Sequence, residues 1–370
     1  MAPRFLFLES FYGGSHKLFA GGLKAHSSYH IDLVTLPAQL WRWRYRTAAL
    51  HFVREVGDPR GYDGIIVTDL IDISDLKAHW PAGAPPVLLY MHESQITYPL
   101  PRGKSLDTNT AFADIRNVLA ADLVLFNSHS HRNAFLTLAR RVSRNIPDES
   151  REWIPRELDE KSAVLYPGLE LPPVRPVKRS ADGPPVILWN HRWEYDKNPS
   201  LFFRTLRALL RRRRAFNVVL VGECPQFCPK EFMRGRDMLG ARLLQYGYAA
   251  THEDYLHWLS ESDIVISTAQ QENFGIATVE AIRCGCYPVL PHRLSYPELI
   301  PQEWHRTVLY RHDSELLHKL DALITHGRWE LPGLAESTAR FTWDSLAPRY
   351  DAQLLRLSGL QPVHPGKNAV

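Results

Sequence analysis

Two glutamates with a fixed spacing lie beyond an apolar run in the second half of the chain. Glu272 follows the strand-like segment DIVIST (263–268), and Glu280 comes after it with seven residues between them. Gly275 begins a helical pattern between the two, and a helix N-terminus favours anions through its free N–H groups. A glycine there lets a ligand approach the backbone closely. The segment therefore predicts a site that holds two hydroxyl-bearing parts of one ligand on either side of its phosphates.

A pair of cations follows another apolar run, PVILW (185–189). Arg192 and Lys197 bracket the loop NHRWEYDKNP (190–199), which leads into a helical pattern. Positive charge at the carboxyl end of a strand suits a diphosphate leaving group. The alternative is a solvent-exposed loop in which these cations pair with Glu194 or Asp196.

The first half of the chain has a glycine-rich turn after its first apolar run, at FYGGSHK (11–17). It lacks the spacing of a P-loop or of a dinucleotide-binding fingerprint. Gly13 and Gly14 are expected to let the backbone approach a ligand closely. Ser15 and His16 then fall in the first turn of a helix, where His16 either contacts the acceptor or has no role.

Two further strand ends in this half carry polar side chains. HESQITYP (92–99) follows the buried run PVLLYM and places His92, Glu93 and Gln95 where ligands bind open α/β sheets. Asn127 and Ser128 end the next run and either line the same region or, for Ser128, cap a helix.

Aromatic and arginine residues alternate in LWRWRYR (40–46). Aromatic side chains stack on bases and Arg contacts phosphate, so Trp41, Arg42, Arg44 and Arg46 are candidates for RNA contact. A strand with one polar face, or a membrane-surface patch, would show the same alternation. The run RRRR (211–214) closes an amphipathic pattern and offsets a helix dipole there; a distal tRNA contact is the alternative.

Strand-like runs alternate with helical patterns along the whole chain, which is typical of doubly wound parallel sheets. A proline-rich stretch (171–185) divides the alternation, and 370 residues suit two domains. The sequence predicts an N-terminal Rossmann-like domain (1–175) and a C-terminal one (176–340), with a cleft between the domains. The last segment (341–370) is expected to form a helix that crosses back to the N-terminal domain, followed by a frayed tail. The predicted strands are 4–9, 30–36, 64–69, 86–93, 121–128 and 162–168, then 185–191, 216–223, 243–248, 263–268 and 287–291.

The composition excludes little. The net charge of +4 is mild, and Arg outnumbers Lys among the 44 basic residues, which suits phosphate binding or reflects codon bias. No apolar run has the roughly 20 residues that span a bilayer. The four cysteines, Cys224, Cys228, Cys284 and Cys286, are expected to be free thiols in a reducing cytoplasm rather than zinc ligands.

The order of these motifs over residues 186 to about 300 resembles retaining glycosyltransferases of the GT-B fold, family 4 type. The resemblance implies that Arg192 and Lys197 hold the nucleotide diphosphate, Glu272 the donor sugar and Glu280 the ribose. It implies a catalytic contact of His92 with the donor sugar and a nucleotide base near Tyr248. The remaining residues assigned to the donor are Gly222 and the start of the helix at Asn273, Phe274, Gly275 and Ile276. Gly13 and Gly14 are also assigned to it, since their backbone is expected to approach the donor diphosphate or an acceptor hydroxyl.

Over nearly its full length the chain is similar to the tRNA-queuosine α-mannosyltransferases. FYGGSHK, LPAQLWRWRYRTAAL, YMHESQITYP, LVLFNS, HRWEYDK, STAQQENFGIATVEAIRCGCYPVLP and YPELIP carry the similarity. It implies GDP-mannose as donor and the cyclopentenediol of queuosine in tRNA as acceptor. The acceptor is then expected to contact Ser15, His16, Trp41, Arg42, Arg44, Arg46, Glu93 and Gln95.

The expected reaction retains the anomeric configuration, with the leaving phosphate oxygen taking the acceptor proton. No resident cofactor and no metal are expected, because no Asp-x-Asp motif stands in a suitable setting. The alternatives are a GT-B transferase acting on a glycan, a lipid or a small metabolite, a GT-B epimerase or hydrolase, and a non-catalytic RNA-binding protein. Oligomeric state is not determined by these patterns.

Overall fold

The computed structural model divides the chain into two compact units. Unit 1 is Met1–Glu170 with Phe341–Val370, and unit 2 is Leu171–Arg340. The structure describes residues 3–99, 107–176, 183–224, 228–327 and 330–360. The predicted tail beyond residue 360 and the middle of the predicted linker (177–182) lie outside these residues.

The boundary between the units lies five residues before the predicted one. Arg175 donates its backbone N–H to the carbonyl of Arg283, and Arg283 Nε donates to the carbonyl of Pro172 at 2.7 Å. These bonds attach residues 172–175 to unit 2, so the chain leaves unit 1 after Glu170.

Unit 1 is a parallel sheet with helices on both faces. Its strands are β1 (Arg4–Tyr12), β2 (His30–Pro37), β3 (Gly64–Thr68), β4 (Val87–Met91), β5 (Leu123–Phe126) and β6 (Ser162–Val164). Its helices are α1 (Gly14–His26), α2 (Trp41–Val56), α3 (Ile73–His79), α4 (Thr108–Ala120), α5 (His129–Ser143), α6 (Ser150–Lys161) and, from the end of the chain, α15 (Trp343–Ser358). The strand order is β2-β1-β3-β4-β5-β6. The central strands β3 and β4 are buried at every residue, as strands covered on both faces must be.

Helix α15 belongs to unit 1 although it follows unit 2 in the chain. The indole of Trp343 packs against Gly22 of α1 and against Gly168, where any side chain would collide with the ring. The hydroxyl of Tyr350 donates to the carbonyl of Tyr166 at 2.8 Å. Two glycines and a buried aromatic residue therefore attach the C-terminal helix to the first domain's core.

Unit 2 repeats the architecture. Its strands are β7 (Val186–Trp189), β8 (Asn217–Val221), β9 (Leu243–Gly247), β10 (Ile264–Ile266), β11 (Tyr287–Pro291) and β12 (Leu309–Tyr310). Its helices are α7 (Pro199–Arg211), α8 (Lys230–Leu239), α9 (His252–Ser260), α10 (Ile276–Arg283), α11 (Tyr296–Leu299), α12 (His305–Val308), α13 (Asp313–His326) and α14 (Leu334–Ser337). The parallel sheet has the order β12-β11-β10-β7-β8-β9. The predicted pair of doubly wound parallel sheets is thus confirmed; only the two-residue strand β12 was missed.

Each sheet has one point where the strand order reverses. In unit 1 it lies between β1 and β3, and in unit 2 between β7 and β10. Connections leave these two strands toward opposite faces of the sheet, which opens a crevice at their carboxyl ends where ligands bind. The fold therefore selects the segments after β1, β3, β7 and β10 as candidate sites.

Two sequence-based expectations need correction. LWRWRYR is not a strand, because helix α2 begins at Trp41. Free thiols were expected at Cys224 and Cys228, whereas the structure pairs these two residues with Cα atoms 5.7 Å apart; Cys284 and Cys286 are free and buried.

The arginine run after α7 has a partner that the sequence could not show. Arg212 and Arg214 both form ion pairs with Asp321 of α13, at 3.0 and 2.6 Å. The run thus ties α7 to α13, in addition to lying at the C-terminus of α7. No helix within the described ranges is both long and apolar enough to cross a membrane.

Candidate functional site

Lys197 is the central buried cation of unit 2. It lies in the loop after β7, and its Nζ donates to the carbonyl of Gln271 at 2.7 Å and lies 3.4 Å from Glu272 Oε2 and 3.3 Å from Asp196 Oδ2. Burial by itself lowers the pKa of Lys197, but the carboxylates of Glu272 and Asp196 outweigh burial and raise it above its ordinary value. Lys197 is therefore charged, and the reversal point of the sheet brings it to Glu272.

Glu272 and Gly275 lie together before helix α10. Gly275 caps that helix with φ of +104°, and a Cβ there would lie 3.1 Å from Leu299 and 3.5 Å from Cγ of Glu272. Ser295 donates to the carbonyls of Phe274 and Glu272, which fixes the turn. The predicted turn and helix start are present, with Asn273 and Ile276 partly exposed beside them.

Glu280 lies inside α10 and belongs to a buried polar chain. The hydroxyl of Tyr255 donates to Glu280 Oε2 at 2.8 Å, and Asn190 Nδ2 donates to that hydroxyl at 3.2 Å and to the carbonyl of Ala277 at 2.7 Å. Burial raises the pKa of Glu280 to about 7, although the bond from Tyr255 lowers it. Sequence reasoning missed Tyr255 and Asn190, since nothing in their local sequence indicates that they meet Glu280.

The other predicted donor contacts of unit 2 are more loosely grouped. Arg192 is exposed and lies 3.4 Å from Glu194, as the alternative reading of this loop expected, while its charge also acts on Lys197. Tyr248 is 74% exposed at the end of β9, the outermost strand. Gly222 packs against the carbonyl of His191, so this glycine has a packing reason independent of any ligand.

In unit 1 the segments after β1 and β4 converge on a pair of histidines. His16 of α1 is buried, and its Nδ1 lies 3.2 Å from Glu9 Oε1; its ring lies 4.2 Å from the ring of His92. Burial lowers the pKa of His16, but Glu9 outweighs burial and raises it to about 9. Burial and the nearby charge of His16 lower the pKa of His92 well below its ordinary value. The site therefore contains one imidazolium and one neutral imidazole.

Carboxylates surround these rings. Glu9 Oε1 also accepts from Thr68 at 3.0 Å, and Asp69, after β3, accepts the backbone N–H of His92 at 2.8 Å. Burial, opposed by His16, raises the pKa of Asp69 to about 7. Glu93 is half-buried and accepts from Gln95 at 3.1 Å. Glu9 and Asp69 were not predicted, because Glu9 is an ordinary strand position in the sequence and Asp69 has no motif around it.

The remaining residues of the glycine-rich turn divide into packed and exposed positions. A Cβ on Gly13 would lie 2.5 Å from that of Ala38, and Gly14 starts α1 with φ of +50°, so both need glycine. Ser15 is exposed beside His16. Ser128 caps α5, since its Oγ accepts a hydrogen bond from the backbone N–H of His131 at 3.0 Å. This is the helix-capping alternative that the sequence suggested for Ser128.

The residues predicted for RNA contact lie on α2, and the helix places them on different faces. At about 100° per residue, Arg42 and Arg46 share one face, whereas Arg44 points away and donates to the carbonyl of Pro37 at 3.2 Å. Trp41 is partly buried and stacks with the guanidinium of Arg42. Trp43, which was not predicted, is 62% exposed on the same side of the helix as these two arginines. We call Arg42, Trp43, Arg46 and Leu50 the exposed α2 face.

Comparison with known proteins agrees with this architecture. The family model "tRNA-queuosine alpha-mannosyltransferase N-terminal" matches residues 4–169, and "Glycosyl transferases group 1" matches residues 173–332. The chain is 37% identical over 331 residues to a tRNA-queuosine alpha-mannosyltransferase of Drosophila melanogaster, covering 86% of each chain.

Among solved structures the similarity is one of fold. A sucrose-phosphate synthase from Thermosynechococcus elongatus superposes with a TM-score of 0.70 at 15% identity, covering 95% of this chain and 98% of the other. HepE of Anabaena, with UDP and glucose, gives 0.66 at 17%, covering 96% and 100%. The two units are those of a GT-B glycosyltransferase, and the chain belongs to the tRNA-queuosine α-mannosyltransferase family.

Proposed function

We propose that this chain transfers mannose from GDP-mannose to the cyclopentenediol of queuosine in tRNA, with retention at the anomeric carbon. One observation carries the proposal: buried Lys197 is held by Glu272 and Asp196 at the sheet reversal of a family member. We assign the nucleotide sugar to unit 2 and the acceptor to unit 1. We also propose a cytoplasmic location for the reaction.

The proposed reaction does not require a side chain to act as a general base. The acceptor hydroxyl forms the new bond to the anomeric carbon while the bond from that carbon to the diphosphate oxygen breaks. The acceptor proton passes to the departing phosphate oxygen, so GDP leaves carrying it. Lys197, Arg192 and the first turn of α10 stabilise the charge that develops on the diphosphate. The contact of His92 with the donor sugar stays a prediction from the family resemblance.

Mass spectrometry of tRNA nucleosides tests the whole proposal. Queuosine-containing tRNA is incubated with GDP-mannose, UDP-glucose or UDP-galactose in turn, and a hexose mass on queuosine is expected with GDP-mannose alone. A hexose on another nucleoside, or transfer from a UDP-sugar only, would replace the acceptor or the donor. Release of free sugar without transfer would indicate a hydrolase.

The exposed α2 face is expected to bind tRNA. An exposed Trp offers a stacking surface for bases, and stacking contributes about 1–3 kcal/mol per base. Trp43→Ala should therefore weaken tRNA binding about tenfold while leaving GDP binding unchanged, as measured by fluorescence anisotropy and calorimetry. Trp153→Ala is the matched control, because Trp153 is a partly exposed tryptophan of the same unit, on α6. Equal tRNA affinity in both variants would remove the α2 face from the acceptor interface.

We further propose that transfer needs no divalent metal, since Lys197 and Arg192 would supply positive charge to the diphosphate. Activity in EDTA should equal that in Mg²⁺. Full loss in EDTA, restored by Mg²⁺, would contradict this. Within the described residues, one group has ligand atoms close enough to share a metal, Glu9, His16 and His92, whose atoms lie within 4.8 Å of one another; it would be the first place to examine.

A further inference from the structure

The site of unit 1 holds more negative than positive charge. Glu9 and Asp69 are buried and Glu93 is half-buried, all at the carboxyl ends of β1, β3 and β4. Facing them are His16, which is a cation, and His92, which is a neutral ring. Among the described residues no Lys or Arg forms an ion pair with these three carboxylates; Glu9 pairs with His16. Buried carboxylates without enough cations are costly, so they are kept where a ligand supplies the charge.

One oxygen in this group has no hydrogen-bond partner. Glu9 Oε1 accepts from Thr68, from the N–H of Phe11 and from His16, whereas Glu9 Oε2 is buried and accepts nothing from the described residues. An unsatisfied buried carboxylate oxygen costs several kcal/mol unless a donor reaches it. It lies at the strand reversal between β1 and β3, where open sheets bind ligands. The position calls for a ligand N–H or O–H.

Queuosine has the matching chemistry. Its cyclopentenediol is attached through a secondary amine, which is protonated at neutral pH, so an ammonium and two hydroxyl donors lie within one small ring system. A cluster of carboxylates with one unsatisfied oxygen complements that group in charge and in donors. A divalent cation is the competing occupant, but Nδ1 of His16 already engages Glu9, so a metal would have to displace that contact.

We propose that Glu9, Asp69 and Glu93 form the subsite that recognises the protonated secondary amine of queuosine and its adjoining diol. The inference rests on the proposed function, since it takes queuosine as the acceptor. The inference adds a reason why queuosine would be selected over the other nucleosides of tRNA, namely the positive charge of its secondary amine, which unmodified nucleosides lack.

The test compares ligands that differ in this charge, using the full-length protein and calorimetry. The probes are the free nucleoside queuosine, its N-acetyl derivative, which keeps the diol but has no ammonium, and 7-deazaguanosine. We expect queuosine to bind at least about tenfold more tightly than the N-acetyl derivative, which is the effect of one charge-assisted hydrogen bond. Equal affinities, or no binding of queuosine, would overturn the proposal.

Substitutions at Glu93 and Asp69 test whether these carboxylates cause the difference in affinity between queuosine and its N-acetyl derivative. Glu93→Gln keeps the shape of a half-buried side chain and should weaken queuosine binding about tenfold without changing the affinity for N-acetylqueuosine or GDP. Asp69→Asn should act in the same direction, and Glu149→Gln, an exposed position of unit 1, is the control. Thermal unfolding of each variant checks folding. If Glu93→Gln and Asp69→Asn reduce the affinities for queuosine and N-acetylqueuosine equally, the carboxylates do not recognise the amine.

Two further outcomes separate this inference from its alternatives. If EDTA abolishes queuosine binding and Zn²⁺ restores it, the group is a metal site and the proposal is wrong. Failure of hexose transfer to queuosine-tRNA would refute the proposed function whatever the calorimetry shows. Transfer that proceeds equally well on tRNA with an N-acetylated queuosine would refute only the subsite.

Discussion

Lys197→Ala is expected to reduce kcat/KM for sugar transfer by about 10²–10³, because it removes the buried cation that would stabilise the leaving diphosphate. The change also leaves Glu272 and Asp196 without their positive partner in a buried setting. Breaking a buried ion pair costs about 3–5 kcal/mol, so part of the loss in activity could come from unfolding. Steady-state transfer rates and urea unfolding on the same samples separate the two effects.

Two companion variants make the result specific. Lys197→Met keeps the aliphatic packing and should fold better than Lys197→Ala while remaining equally inactive. Lys319→Ala removes another partly buried lysine of unit 2, one that pairs with Glu315 and donates to the carbonyls of Arg306 and Thr307. It should transfer sugar at the normal rate. A normal rate in Lys197→Ala would show that the diphosphate assignment is wrong.

Glu280→Gln is expected to change stability and donor binding in opposite directions. The pKa of Glu280 is raised from 4.5 to about 7 by burial, so the folded protein holds a proton that the unfolded chain releases. Stability from this group is full below about pH 4.5 and is lost as pH rises through 7, by about 3 kcal/mol. Gln carries no charge, so the variant should be the more stable protein at pH 8 and should not share this loss.

The same substitution should weaken GDP binding at least about tenfold, because an amide accepts fewer hydrogen bonds from ribose hydroxyls than a carboxylate does. Urea unfolding at pH 5 and pH 8 gives the stability difference, and calorimetry gives the affinity. Glu303→Gln, at an exposed glutamate of unit 2, controls for the general effect of removing a charge. Equal pH dependence of the wild-type and Glu280→Gln proteins would contradict the assigned burial, and unchanged GDP affinity would remove Glu280 from the ribose site.

The sequence by itself determined the architecture and pointed to the polar segments that follow β7 and β10. Alternating apolar runs of strand length predict parallel sheets, since strands covered on both faces must be apolar throughout, and β3, β4 and β11 are buried at every residue. Lys197, Glu272 and Gly275 could be singled out from the sequence because they lie in the segments that directly follow strand-like apolar runs. Their proximity depends on the pairing of β7 with β10 at the strand reversal.

Only the tertiary structure decided which groups are charged and which side chains from distant segments contact one another. Tyr255 and Asn190 reach Glu280 from two other elements, and Glu9 raises the pKa of a histidine seven residues away. Burial and neighbouring charge set these properties, and neither can be read from a local pattern.

The α2 segment shows the same limit at the level of one element. The alternation of aromatic and Arg residues suggested RNA contact, with a strand that has one polar face as an alternative, but the segment forms a helix, which turns about 100° per residue. Arg44 is therefore directed to Pro37 and Trp43 to solvent. The residue types were visible in the sequence, whereas the face that they present was decided by the element they form.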